Sequence, residues 1–322
     1  MTSSDDANAK PSWERKTLEA LAFSVLKEQR ARRRWGVFFK FLLFAYLLIL
    51  LAAAMDWFPD GEAVKTERHT AVINLQGVIE AEGEITAEKV NAALAAAFKD
   101  KNTAGIILRI NSPGGSPAQS GEIFDEMRRQ KKLRPDIPLY AVVEDVCASG
   151  GYYIASGADK IFVNRASLVG SIGVLMNGFG FTGAMDKLGI ERRLLTAGEN
   201  KGFLDPFSPM QEEQKAHVQT LLDELHQQFI AAVREGRGNR LKETPEIFSG
   251  LIWSGEKSVE MGLADALGSV KSVARDEIKA ETLVDFSVKE NLAERLAKRL
   301  GANAAAGFGQ GFMEKMSGGG VR

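Results

Sequence analysis

The sequence has few of the residues that build disulfides and transition-metal sites. Its one cysteine, Cys147, cannot form an internal disulfide, and only three histidines are present, at positions 69, 217 and 226. The 41 Lys and Arg residues nearly balance the 42 Asp and Glu residues, so no bulk cationic field favours nucleic acid. The composition therefore predicts neither a metal centre nor a nucleic-acid partner.

One hydrophobic run stands out against this balanced composition. Residues 41–55 carry no charge, and the run extends back to Trp35 with Lys40 as its one charged residue. As a helix, residues 35–55 rise about 31 Å, the thickness of the hydrocarbon core of a bilayer. Basic residues cluster before the run and acidic residues after it, which predicts a single-pass transmembrane anchor with residues 1–34 in the cytoplasm. The alternative is a signal peptide cleaved near Ala52–Ala54, which the long basic segment disfavours.

The remaining chain divides by its patterning into a linker, a domain and a tail. Residues 56–69 are polar and predict a linker, and residues 301–322 are rich in glycine and alanine and predict a flexible tail. Between them, over residues 70–300, strand-like and helix-like segments alternate, which predicts an α/β domain with parallel strands. Ser208 and Pro209 predict the start of a long amphipathic helix, on which His217 and His226 are expected to be structural or solvated.

Two glycine-containing turns are candidates for chemistry. In NSPGGS (111–116), which follows an apolar strand, the N–H groups of Gly114 and Gly115 are candidates to face a cleft and stabilise a phosphate or a developing oxyanion. In CASGGYY (147–153), Ser149 opens a helix with the Gly150 N–H beside it, as a serine nucleophile requires. The alternative for the first segment is an ordinary turn, and the alternative for Ser149 is an ordinary helix N-cap. We expect Cys147 to be buried in the core.

A nucleophilic serine needs a base, and the histidines form no motif that supplies one. Lys201, in TAGENKG (196–202), is the remaining candidate; it follows the strand-like residues 192–195 and precedes the long helix. Serine–lysine catalysis requires an uncharged amine, which a buried, apolar setting favours. A loop lysine is otherwise usually solvated.

Four segments in this order resemble the signal peptide peptidase A family in its short, single-domain form: NSPGGS (111–116), CASGGYYIA (147–155), LVGSIGV (168–174) and TAGENKG. The resemblance covers roughly residues 70–270. It implies that Ser149 is the nucleophile and Lys201 the general base. It further implies that Gly150, with the Gly114/Gly115 turn, supplies the oxyanion donors and that Ser171 orients the lysine amine. Asn200 departs from the pattern, because the family often has an aromatic residue there.

The resemblance also implies a fold, an assembly and a function. The fold is the caseinolytic-protease/crotonase type of α/β fold, a superhelix of ββα-like units, and related short forms build homo-oligomeric rings that take serine and lysine from neighbouring subunits. The leading hypothesis is a serine endopeptidase anchored in the bacterial cytoplasmic (inner) membrane, with its catalytic domain outside the cytoplasm, which degrades cleaved signal peptides without a metal or organic cofactor. Residues 172–175 and 142–146 are expected to line an apolar substrate groove. The alternatives are a crotonase-like acyl-thioester enzyme and a non-catalytic membrane scaffold that binds peptides.

Overall fold

The computed structural model describes residues 13–54 and 67–288, which fall into two separate units. One unit contains helix α1 (Trp13–Ala54), and the other is formed by residues 67–288. The predicted flexible tail at 301–322 and most of the predicted linker at 56–69 lie outside the described residues.

Helix α1 is 42 residues long and includes almost all of the hydrophobic run. Within residues 13–54 and 67–288, no helix has an apolar stretch long enough to cross a membrane. The transmembrane anchor predicted at residues 35–55 is therefore not confirmed, and Met55 itself lies outside the described residues.

Residues 67–288 build one mixed sheet flanked by helices. Its neighbouring strands run in the order β6-β5-β3-β2-β1-β8, while β4 pairs with β3 and with β7. All of these pairs are parallel except β5 with β6. The strands are β1 (His69–Ile79), β2 (Thr103–Gly115), β3 (Leu139–Ala148), β4 (Lys160–Val163), β5 (Leu168–Gly170), β6 (Ile252–Ser254), β7 (Ala266–Leu267) and β8 (Leu283–Asp285).

Helices cover the sheet and connect its strands. They are α2 (Ala87–Lys99), α3 (Pro117–Leu133), α4 (Gly150–Ser156), α5 (Thr182–Leu188), α6 (Glu212–Arg237), α7 (Gly255–Glu260) and α8 (Val270–Val273). Short 3₁₀ turns span Gly238–Arg240 and Pro245–Phe248, and a π turn spans Ala274–Ile278.

The apolar run of β2 shows why this sheet is covered on both faces. Ile106, Leu108 and Ile110 enter the larger core cluster, whereas Ile107 enters a smaller cluster with Val142 and the π turn. Because successive side chains of a strand point to opposite faces, a continuous apolar strand needs packing on both. The predicted α/β class with parallel strands is confirmed, and the superhelix of ββα units is not.

Two local predictions are wrong. The long helix α6 begins at Glu212 rather than after Ser208, because the Ser208 hydroxyl donates to the carboxylate of Asp205 at 2.7 Å instead of capping a helix. The strand-like residues 192–195 have no regular secondary structure and are exposed, so they have neither a neighbouring strand nor a core to face.

A buried ion pair fixes the end of α6 to the sheet. The fully buried Arg237 donates from Nε to the Gly262 carbonyl at 2.9 Å and from Nη1 to Asp265 at 2.8 Å. Arg240 approaches the second oxygen of Asp265 at 3.1 Å. Burial alone raises the pKa of Asp265, but the hydrogen bond and charge of Arg237, helped by Arg240, hold it below its usual range.

The sheet also brings the two glycine turns together. The first half of β3 pairs with β4 and its second half with β5, so the strand ends at Ala148 between β2 and β5. Strand β2 runs parallel to it and ends at Gly115. The carboxyl ends of neighbouring parallel strands meet at one edge of a sheet, which is where ligands bind in α/β folds.

Candidate active site

Ser149 occupies a strained turn between β3 and α4. Its φ of 50° and ψ of −124° are rare for a residue with a side chain. The turn is held by two backbone hydrogen bonds, from the Ser149 N–H to the Gly170 carbonyl and from the Tyr153 N–H to the Ser149 carbonyl, each 2.9 Å. Although Ser149 is the N-cap residue, its side chain makes no capping hydrogen bond. The half-buried hydroxyl is therefore not used as an ordinary cap.

The backbone N–H of Gly150 lies immediately beside that hydroxyl. Gly150 is the first residue of α4, and the first N–H groups of a helix have no acceptor within the helix. A Cβ at this position would lie 2.5 Å from Ser120 Oγ and 3.3 Å from the Gly115 nitrogen, so the turn after β2 packs directly against it. Gly150 is thus a candidate oxyanion donor.

Gly114 and Gly115 have different roles in the turn after β2. The Gly114 N–H already donates to Ser112 Oγ at 3.1 Å, which leaves Gly115 and Gly150 as the candidate donors of the predicted set. Gly114 instead permits close approach: at φ +103° it packs so tightly that a Cβ would lie 2.7 Å from both the Gly150 nitrogen and Ser149 Cβ. Gly115 lines the cavity onto which Ser149 opens.

That cavity has a volume of about 990 Å³ and lies between α3 and α6, with the start of α4 in its wall. Residues from the segments 171–175 and 249–250 complete the lining. The lining includes the catalytic-turn residues Gly115, Ser149 and Gly150, together with Gly121, Glu122, Asp125, Tyr153, Ser171 and Phe229.

Ser171 shares this cavity with Ser149 and is also strained, with a φ of 51°. Its N–H donates to the Leu251 carbonyl at 2.7 Å, and its neighbour Gly170 accepts from Ser149. On the other side of the segment, His226 Nε2 lies 3.1 Å from the Ile172 carbonyl, so an N–H of the ring holds this backbone from α6. The expectation of a structural histidine is met here, with a contact next to the site.

Lys201 is not brought to Ser149 within one chain. It is exposed, its N–H donates to the Gly198 carbonyl at 3.1 Å in a turn, and it is absent from the lining of the cavity. The buried, apolar setting expected around its amine is not provided by the described residues of a single chain.

The structure also tests the predictions for Cys147 and for the walls of the substrate groove. Cys147 is fully buried, and burial raises the pKa of its thiol, so it belongs to the core and is not a thiolate nucleophile. Of the predicted groove walls, Gly173, Val174 and Leu175 do line the cavity. The predicted wall at 142–146 is wrong, because residues 142–146 line a different cavity of about 890 Å³ that extends toward β8 and α8.

The sequence did not predict the aromatic and acidic walls of the cavity. Tyr153, one turn after Ser149, stacks on Phe229 of α6 with ring centroids 4.9 Å apart and meets Phe124 edge-on at 5.6 Å. Burial raises the pKa of Tyr153, and the charges of Asp125 and Glu235 add to that rise, so its phenol stays protonated. Gly121 and Asp125, four residues apart on one face of α3, are the signal that could have revealed this wall.

No group of three or more His, Cys, Asp or Glu side chains in residues 13–54 and 67–288 is arranged to hold a metal ion. An accessible serine at a strained strand-to-helix turn, next to a helical N–H, is an arrangement that serine hydrolases use.

Two protein-family models match parts of the chain. The model of peptidase family S49 matches residues 131–284, and the model of Clp protease matches residues 65–193. The two matches together cover both glycine turns and the Ser149 segment. Over these residues the chain is similar to peptidase family S49.

Several curated proteins are similar to this chain in sequence over much of its length. The chain is 35% identical over 192 residues to the putative signal peptide peptidase SppA of Enterococcus faecium, which covers 60% of this chain and 55% of the relative. It is 30% identical over 233 residues to protease 4 of Haemophilus influenzae, covering 70% of this chain and 37% of that protein. A protein of Brucella abortus named Na(+)/H(+) antiporter NhaA is 40% identical over 235 residues, 69% of this chain and only 31% of that protein. The chain thus spans well under two thirds of each of these relatives.

Proposed function

We propose that this chain is a serine endopeptidase with Ser149 as its nucleophile. The observation that carries the proposal is the Ser149 hydroxyl itself, which makes no capping bond and opens onto a cavity of about 990 Å³ beside the free N–H of Gly150. The similarity to peptidase family S49 supports peptide bonds as the target. Neither the crotonase-like alternative nor the scaffold alternative uses a serine hydroxyl held in this way.

The reaction follows the usual two steps of acyl transfer. Ser149 Oγ attacks the peptide carbonyl and gives its proton to a base, while the Gly150 N–H stabilises the oxygen that becomes negative. The carbon–nitrogen bond then breaks as the same base returns the proton to the leaving amine. Water, deprotonated by that base, hydrolyses the Ser149 ester and restores the free hydroxyl.

The base in this proposal is Lys201 of a neighbouring subunit in a homo-oligomeric ring. Its exposure in the single chain supports an intermolecular rather than an internal pair. Residues 175–195, which precede Lys201, also support assembly, because Leu175, Phe179 and Leu195 are 82%, 77% and 96% exposed. A segment with several large apolar side chains exposed to this degree favours an interface. Burial in the interface would supply the apolar setting that a neutral lysine amine requires, and Ser171 would hold that amine at the cavity.

Mixed oligomers test this pairing. Ser149→Ala and Lys201→Ala should each abolish peptide hydrolysis alone, and co-expression of the two variants should restore part of it, because some interfaces then contain an intact serine and an intact lysine. Tandem tags of two kinds would isolate the mixed oligomers. Purified mixed oligomers without any recovered activity would contradict a shared site.

The substrates we propose are cleaved signal peptides, and the support is the apolar character of the cavity together with the name of the Enterococcus faecium relative. Tyr153, Phe229, Leu225 and Val174 provide apolar surface next to Ser149. A signal peptide has an apolar core, which an extended peptide would present to such a surface. Hydrolysis of a synthetic signal peptide by the purified chain, and none by Ser149→Ala, tests the proposal; acyl-thioester turnover without peptide hydrolysis would favour the crotonase-like alternative.

We also propose that α1 attaches the chain to the bacterial cytoplasmic membrane. Apolar side chains are exposed at nearly every position from Trp35 to Leu51 of this helix, so all of its faces are apolar rather than one. Such a surface favours lipid over water. Sodium carbonate extraction of membranes should leave the chain in the pellet, and protease added outside intact spheroplasts should digest the peptidase domain. Recovery of the chain in the carbonate supernatant would contradict attachment through α1.

A further inference from the structure

The cavity next to Ser149 has an unbalanced charge. Among the described residues that line it, the charged side chains are Glu122 and Asp125, both on α3 and both exposed, and no Lys, Arg or His side chain contributes. Glu122 faces the Asn91 amide at 3.5 Å. Nearby, Glu235 is already paired with Arg128 at 3.1 Å. Asp125 has no ion pair or hydrogen bond within the described residues, so its charge is open to a ligand.

Between Ser149 and Asp125 the wall of the cavity is aromatic. The Tyr153 ring stacks on Phe229 at 4.9 Å, and both rings border the cavity. On α3 the facing residue is Gly121, whose Cβ, if it had one, would stand 3.7 Å from the Tyr153 hydroxyl. At that distance the Tyr153 hydroxyl packs against α3, so the ring forms a fixed wall of the cavity. The lining of this one cavity therefore contains the serine, an aromatic wall and a carboxylate.

The shared cavity indicates which part of a bound peptide reaches Asp125. Ser149 and Asp125 line the same cavity, and the charge of Asp125 acts on Tyr153, one turn after the serine. An extended peptide advances about 3.3 Å per residue, so the residues within two positions of the scissile bond lie within about 7 Å of the serine. At these positions we expect a side chain to meet Tyr153 and Asp125.

We propose that Asp125, assisted by Glu122, is a specificity-determining residue that selects peptides with a lysine or arginine within two residues of the scissile bond. The long aliphatic stem of such a side chain packs on Tyr153 and Phe229, and its cationic end pairs with the carboxylate. This inference rests on the proposed peptidase function. It names a part of the substrate that the apolar surface alone does not select.

Binding to an inactive variant tests selection without requiring turnover. Ser149→Ala would be titrated with fluorescent peptides that are identical except for one residue, which is lysine, norleucine or glutamate and is moved through the two positions on each side of the central bond. At one position we expect lysine to bind about tenfold more tightly than norleucine, the sum of one partly exposed ion pair and one cation–π contact. Adding Asp125→Asn should reduce this preference to about twofold or less, the level left to Glu122 alone.

The matched control is Asp223→Asn, which removes the same charge from α6 at an exposed position off the cavity lining. It should leave the preference for lysine intact. An equal preference in the Asp125 and Asp223 variants, no lysine preference at any position, or no binding of any peptide would each overturn the inference.

Hydrolysis by the unmodified chain separates this inference from the proposed function. Cleavage of the norleucine peptide that depends on Ser149, without any lysine preference in cleavage or binding, overturns the inference and leaves the peptidase intact. A lysine preference in binding that Asp125→Asn removes, with no cleavage of any peptide, supports the charge selection and overturns the peptidase.

Discussion

The close packing of Gly114 against the Ser149 turn allows a quantitative prediction, because Gly77 of the same chain provides a matched control. Gly114 and Gly77 have nearly the same φ, at +103° and +104°. Alanine at either position incurs backbone strain of the same kind, about 1–3 kcal/mol for a sparsely populated φ/ψ region. They differ in their surroundings, since a Cβ at Gly77 meets nothing within 4 Å, whereas one at Gly114 lies 2.7 Å from the Gly150 nitrogen.

Gly77→Ala should therefore lower stability by the strain alone and keep its activity. Gly114→Ala should lower stability further and also displace the Gly150 N–H from the developing oxyanion. Loss of one such donor typically costs about 10²–10³ in kcat, or roughly 2.7–4 kcal/mol of transition-state stabilisation. The difference between the two variants isolates the contribution of close approach from that of backbone strain.

The assay has two parts, urea unfolding followed by tryptophan fluorescence and single-turnover hydrolysis of a fluorogenic peptide, each on both variants. Activity is measured at a temperature where both variants are fully folded. If Gly114→Ala hydrolyses the peptide within about threefold of Gly77→Ala, the oxyanion geometry assigned to this turn is refuted.

Three further predictions concern other parts of the domain. Arg237→Met leaves the Asp265 carboxylate without its buried partner, so unfolding free energy at pH 7 should fall by about 3 kcal/mol. Because the folded pKa of Asp265 is held low, its contribution to stability is present above its unfolded pKa and is lost as pH falls through the folded pKa. The difference in unfolding free energy between the unmodified protein and Arg237→Met should therefore decrease below about pH 4. A difference that stays constant from pH 7 to pH 3 would contradict the pairing. Lys201→Arg should be inactive in peptide hydrolysis, since guanidinium stays protonated and cannot accept the serine proton, and robust activity would remove Lys201 as the base. His226→Gln keeps an N–H for the Ile172 carbonyl and should retain kcat, whereas His226→Phe should lower kcat several-fold with little change in KM; equal effects of the two would show that the hydrogen bond does not matter.

The sequence predicted the parallel sheet because that feature depends on local signals. The alternation of apolar strands and amphipathic helices over residues 70–170 is strong, and β1, α2, β2, α3 and β3 alternate there in the structure. The glycine turns follow the ends of β2 and β3, so parallel pairing alone brings them together. The positive φ of Ser149 and the close packing of Gly114 both occur where these two turns contact each other.

The sequence did not predict features that depend on packing between distant segments. The Gly114 N–H is occupied because Ser112 folds back onto it, which the motif does not encode. The Tyr153–Phe229 stack joins residues 76 positions apart in the chain, so no local pattern pairs them. Residues 192–195, predicted as strand-like, have no strand beside them in the structure. Helix α6 begins later than predicted because Asp205 competes for the Ser208 hydroxyl.

The most direct test of the central claim is to identify the residue that forms the acyl-enzyme. The purified chain would be treated with a serine-reactive aryl phosphonate peptide, digested, and mapped by mass spectrometry while peptide hydrolysis is followed in parallel. We expect one adduct on Ser149, loss of hydrolysis in proportion to labelling, no adduct in Ser149→Ala, and normal labelling in Cys147→Ala, whose buried thiol takes no part. An adduct on another residue, or hydrolysis by Ser149→Ala at the rate of the unmodified chain, would contradict the account.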